Sequence, residues 1–161
     1  MHANEQLIHD FYLAFQKLDW QTMQSCYAKD IRFSDPVFND LKDEKVGAMW
    51  HMLCNKARDF ELHFSHVKAD DTNGSASWEA TYTFSQTGRR VKNVIFAEFQ
   101  FSEGKIIRHS DHFSFWNWSR MALGPIGIAF GWSNFLKRKV QQQGLNGLNL
   151  FIKRYHSKKV A

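Results

Sequence analysis

Prolines and cysteines are scarce in this chain of 161 residues, with two of each. Two thiols exclude a disulfide scaffold. Cys26 and Cys54 each sit in a helix-like stretch among apolar neighbours, which reads as reduced, buried cysteine in a cytoplasmic protein. No glycine-rich phosphate loop or dinucleotide fingerprint is present, and no serine or cysteine nucleophile motif. A long apolar run is also lacking. The most apolar stretch, residues 121–132, carries three Gly and one Pro and is too short to span a bilayer. The first six residues lack the basic-then-apolar pattern of a signal peptide. Cytoplasmic localisation is the expectation.

Aromatic residues are abundant, with fifteen Phe and six Trp. That density suits a sheet with a large apolar face or a cavity lined with rings. The length fits one domain with one core, and no linker divides it. The formal net charge is +5. The excess lies towards the C-terminal end, in Lys137-Arg138-Lys139, Lys153-Arg154 and Lys158-Lys159. Such a tail meets anionic partners or is simply solvated.

Residues 4–18 place Leu7, Phe11, Phe15 and Leu18, with Ile8 beside them, on one helical face. Asp19 suits the N-cap of a second helix over 20–27. Ile31 and Phe33 alternate with Arg32 and Ser34, a short strand. Pro36 then forces Asp35 into an extended backbone. Residues 39–45 read as a loop, and residues 46–56 as a third helix burying Met49, Trp50, Leu53 and Cys54. Four extended stretches follow, at 59–69, 75–86, 91–101 and 105–116. The turns between them are Asp71-Thr72-Asn73-Gly74, Thr87-Gly88 and Ser102-Glu103-Gly104, which suit hairpins. Ala76, Trp78, Ala80, Tyr82 and Phe84 alternate with polar residues, so that strand has one buried face. Ile95, Ala97, Phe99 and Phe101 share a face of the next strand. Its other side carries Val94 and Phe96, an apolar patch that suggests a homodimer across the sheet. A helix over 119–123 is broken at Gly124-Pro125. Ser133 is expected to cap a last helix ending at Gln143, with Gly144 as its stop.

Tyr27-Ala28-Lys29-Asp30, followed by Phe33-Ser34-Asp35-Pro36-Val37, resembles the nuclear transport factor 2-like superfamily. Within it, the match is to the ketosteroid-isomerase-like and SnoaL-like polyketide-cyclase group. Phe101-Ser102-Glu103-Gly104-Lys105-Ile106 is similar to the turn before that group's last strand. The resemblance covers about residues 4–116. It implies an α+β cone with three N-terminal helices on a strongly curved antiparallel sheet. Residues 1–118 then form the SnoaL-like domain, and residues 119–161 a basic helical extension of it.

The resemblance also implies a site. In the isomerases the aspartate before proline is the general base, which falls on Asp35. Their oxyanion donors, a tyrosine and a protonated aspartate, fall on Phe11 and Ala97, which have nothing to donate. Tyr12 is one residue, or about 100° of helix, away. Steroid isomerisation is therefore rejected as the specific activity. On the last strand His109, Asp111 and Phe113 share a face that the resemblance turns inward, opposite Asp35. The cone would hold Phe11, Phe60, Leu62, Trp78, Tyr82, Ala97 and Phe99 around these groups. A mostly apolar cavity with a few converging polar groups is the usual form of a small-molecule site.

Each polar group also has a structural reading. Asp35 suits a turn carboxylate accepting backbone N–H bonds. His109 and Asp111 suit an ion pair tying down the last strand. Tyr82 reads as pocket wall or as a hydrogen-bond donor to an oxyanion. His109 and His112 point to opposite faces of a strand, as do His63 and His66, so neither pair chelates one ion. No metal and no cofactor are expected.

Two functions stand open. One is an acid/base enzyme (isomerase, cyclase, hydrolase or dehydratase) acting on a small apolar substrate, with Asp35 as base and His109 and Asp111 as partners. The other is a non-catalytic binder of a small hydrophobic ligand. For the tail, packing on the domain stands beside docking at a membrane surface. Nucleic acid is not an expected partner, because the aromatic-rich strands look inward.

Overall fold

The computed structural model describes residues 1–156. Three helices precede the meander: α1 (Ala3–Gln16), α2 (Trp20–Ser25) and α3 (Glu44–Lys56). Ile8, Phe11, Tyr12 and Phe15 are the buried stripe of α1, which starts from a capping box between His2 and Glu5. Asp19 caps α2 by accepting the Thr22 N–H. Cys26 and Cys54 are free and buried, and burial pushes their thiols up to about 11 and about 12. Neither is a reactive thiolate at neutral pH.

The sheet comprises β1 (Tyr27–Ser34), β2 (Leu41–Lys42), β3 (Glu61–Ala69), β4 (Asn73–Thr83), β5 (Arg90–Ser102) and β6 (Lys105–His112), in the order β2-β1-β6-β5-β4-β3. β3 to β6 form an antiparallel meander. Glu103 and Gly104 both take left-handed φ, 51° and 74°, as the last hairpin requires. The expectation of an antiparallel sheet needs one correction: β1 lies parallel to β6. A parallel pair needs a long connection, which α3 and the meander supply. β5 alternates buried and exposed residues along its whole length, leaving Val94 and Phe96 open on the outer face.

The last third differs more from expectation. The final strand stops at His112, and α4 (Phe115–Leu123) begins behind the N-cap Ser114. α5 (Pro125–Phe130) follows, then α6 (Asn134–Tyr155), capped by Ser133. Gly144 does not stop α6. A Cβ there would sit 3.0 Å from Val37 Cγ1, so the missing side chain lets the helix lie against the loop after Asp35. Gln141 Nε2 donates to the Pro36 carbonyl at 3.0 Å, and Leu148 and Phe151 are buried in the main core. That burial outweighs the roughly 1 kcal/mol a helical glycine costs. Lys158 and Lys159 lie outside the described residues. Among the described residues no helix is long and apolar enough to cross a membrane.

Candidate functional site

Two carboxylates reach one cavity from different elements. Asp35 follows β1, and its Oδ1 accepts the N–H groups of Val37 and Phe38, both at 2.7 Å. The turn reading of this residue is therefore literally present. Oδ2 has no hydrogen-bond partner among the described residues. Burial pushes the Asp35 carboxyl up to about 7, the negative charge of Asp111 adds to the rise, and the two backbone donors oppose it.

Asp111 lies near the end of β6, opposite Ala97 of β5. Its Oδ1 accepts His109 Nε2 at 3.0 Å and Trp78 Nε1 at 3.3 Å. His109 is fully buried, with its ring among Phe11, Phe33, Trp50 and Phe99. Its Nδ1 lies 2.7 Å from the Tyr27 hydroxyl, which also accepts Trp50 Nε1 at 2.9 Å. One proton assignment uses every donor. Trp50 donates to Tyr27, Tyr27 O–H donates to His109 Nδ1, and His109 Nε2–H donates to Asp111. Burial holds the Tyr27 phenol well above its ordinary pKa, so it keeps the proton this chain requires.

The cavity measures about 270 Å³, at the small end of ligand sites. Its apolar wall includes Phe15, Trp50, Phe60, Trp78, Ile95, Phe113 and Trp118. The C-terminal helices close it through Trp118 and Leu123 of α4 and Val140, Gln143 and Gly144 of α6. Besides the two carboxylates, the polar side chains that line it include Tyr82 and Asn93. Tyr82 accepts Trp118 Nε1 at 3.0 Å, and burial raises its pKa, so its own O–H remains to donate. Asn93 is buried on the inner face of β5, and its amide has no protein partner among the described residues.

Of the residues singled out in the sequence, Asp35, Asp111, Phe60, Trp78, Tyr82 and Phe113 come together around this space. His109 does not reach it and stands behind Asp111. Phe11, Tyr12, Leu62, Ala97 and Phe99 lie in the closed core, because their rings and Ile8 fill that end of the cone. The Tyr12 hydroxyl is buried there with no hydrogen-bond partner among the described residues. Four contributors escaped the sequence reading. Asn93 had a signal, as the one polar residue on an otherwise apolar strand face. Tyr27 was read only for its spacing. Trp50 and Trp118 had no local signal, because their roles depend on contacts far along the chain.

Comparisons with known proteins agree with this architecture. The curated proteins contain no match to the sequence. An NTF2-like protein of unknown function from Burkholderia pseudomallei superposes with a TM-score of 0.66 at 16% identity, covering 76% of this chain and 98% of its own. An LEH-like epoxide hydrolase of M. tuberculosis gives 0.64 at 16% identity, with 79% and 95% covered. A putative polyketide cyclase from Xanthomonas campestris pv. campestris gives 0.60 at 18% identity, with 73% and 94% covered. At these identities the likeness is one of fold. The family model of the SnoaL-like domain matches residues 8–109, and the chain belongs to that family.

Proposed function

We propose that this protein is an acid/base enzyme that moves a proton on a small, mostly apolar substrate bearing an oxygen function. The observation that carries the reading is the pairing of two carboxylates on one ring-lined cavity, with Asp35 raised to about 7. A group titrating near neutrality can both take and return a proton, the condition for efficient general base and acid work. Asp35 Oδ2 is the basic atom. Tyr82 O–H and the Asn93 amide stand as donors to the substrate oxygen on which charge develops, replacing the donors missing at Phe11 and Ala97. Asp111 holds the second carboxylate. His109 is a positioning residue that fixes Asp111 through the bond chain from Trp50 and Tyr27.

Isomerisation, cyclisation, dehydration and hydration share this step. An LEH-like epoxide hydrolase and a putative polyketide cyclase share this fold, which supports the reading by analogy. Incubating the protein with carbonyl compounds and epoxides in D2O, followed by NMR, reads proton transfer as deuterium incorporation or product formation. Asp35→Asn is expected to abolish exchange while ligand binding persists. An unchanged rate in that variant refutes the reading. A second reading is favoured by the two backbone bonds to Asp35 Oδ1, which suit a turn-holding carboxylate in a non-catalytic binder. A ligand bound and released unchanged, with no exchange in the wild type, supports that alternative.

A further inference from the structure

The least expected surface of the molecule lies outside the cavity. Trp116, Ile126, Ile128, Phe130, Trp132 and Phe135 all face solvent, Trp132 being 75% and Phe135 77% exposed. Five of the six fall within ten consecutive residues. They are held outward by a specific contact. A Cβ on Gly127 would collide with the backbone of Ser119, and one on Gly131 with the Ser119 hydroxyl, so α5 is seated on α4 through Gly127 and its C-cap Gly131. Its remaining residues have no inward direction left. The indole N–H groups are satisfied within the patch: Trp132 Nε1 donates to the Ala129 carbonyl and Trp116 Nε1 to that of Ile128. The rings thus present hydrocarbon rather than unpaired donors.

Charge identifies the occupant. From His112 to the C-terminus the sequence has eight basic residues and no Asp or Glu. Arg138 and Lys139 stand three and four positions after Phe135, on the adjoining helical surface, and Lys137 precedes them on the helix flank. Arg120 lies over the Trp116 ring at 5.6 Å. None of these four cations forms an ion pair among the described residues. A second copy on a two-fold axis would bring this cationic patch against itself. Nucleic acid would satisfy the charge but leave Ile126, Ile128 and Phe130 without an apolar partner.

We propose that α5 and the start of α6 form a docking face for an anionic lipid bilayer. The aromatic and branched side chains enter the headgroup boundary while Arg120, Lys137, Arg138 and Lys139 meet lipid phosphates. The face lies one helix from the cavity, since Trp118 and Leu123 of α4 line that cavity while Trp116 and Ser119 support α5. The inference stands independently of the reaction assigned to the cavity.

Co-sedimentation of the full chain tests it, with phosphatidylcholine vesicles with and without phosphatidylglycerol. Binding is expected to the anionic vesicles. It should fall at least about tenfold in Trp132→Gln/Phe135→Gln, two exposed positions whose replacement leaves the melting temperature unchanged. It should fall about as far in Lys137→Gln/Arg138→Gln/Lys139→Gln, which also loses the preference for phosphatidylglycerol. Equal vesicle binding by wild type and both variants overturns the proposal. So does a solution dimer that the Trp132/Phe135 variant dissolves, or retention on duplex DNA that the same variant abolishes.

Discussion

Replacing Asp35 by Asn separates the proton-transfer role from the turn-holding role through its effect on stability. An ordinary aspartate titrates near 3.8, and this one is raised to about 7, first by burial and then by Asp111. Because the folded-state pKa lies above the unfolded one, the native state prefers the protonated carboxyl. Its contribution to stability is complete below about pH 4 and is lost as pH rises through 7. That rise, from 3.8 to about 7, corresponds to roughly 4 kcal/mol. Asparagine keeps an oxygen for the Val37 and Phe38 N–H groups and carries no charge to desolvate. Asp35→Asn should therefore match the wild type near pH 4 and exceed it above pH 8. The gain should approach 4 kcal/mol, or about 10 °C in melting temperature for a chain of this size. Urea and thermal unfolding of both proteins from pH 4 to 9 measure the difference, in which other titrating groups largely cancel. A wild type more stable than Asp35→Asn at pH 8 refutes the reasoning, because it would mean that the folded protein favours the ionised carboxylate. A gain in stability with a loss of turnover is the pattern of a site strained for function.

Three further outcomes follow from the same geometry. Tyr27→Phe removes the hydroxyl between Trp50 and His109, leaving two buried polar atoms unpaired; chemical denaturation should show a loss of about 2–4 kcal/mol. Tyr12→Phe deletes a buried hydroxyl that has no partner among the described residues and should be neutral or stabilising by about 1 kcal/mol, so a large loss would reveal a hidden bond. If the outer sheet face is a homodimer interface, Val94→Lys/Phe96→Lys should yield monomer in light scattering with an unchanged circular dichroism spectrum; a monomeric wild type removes that proposal.

Much of the fold was legible because it rests on local rules. The period of α1, the caps at Asp19 and Ser133, the alternation along β4 and β5 and the hairpin turns are each decided by residues within a few positions of one another. Asp35 was legible as a carboxylate held extended by Pro36. The rest depended on partners distant in sequence. Gly144 reads as a helix stop until Val37 is found against it, and the burial of Leu148 and Phe151 then carries α6 past it. The Ser114 cap that ends the last strand early is a local signal, since it accepts the Asn117 N–H three residues on, and the sequence reading passed over it. His109 and Asp111 were visible as neighbours on one strand face. That one stands behind the other, tied to Tyr27 82 positions earlier, follows from the pairing of β6 between β1 and β5. By itself the sequence determined most of the side chains that a strand or helix turns inward, because backbone periodicity is local; Leu53 of α3, expected inside, is 38% exposed. Only the tertiary structure decided which inward side chains border empty space, because a cavity is what remains after every element has packed.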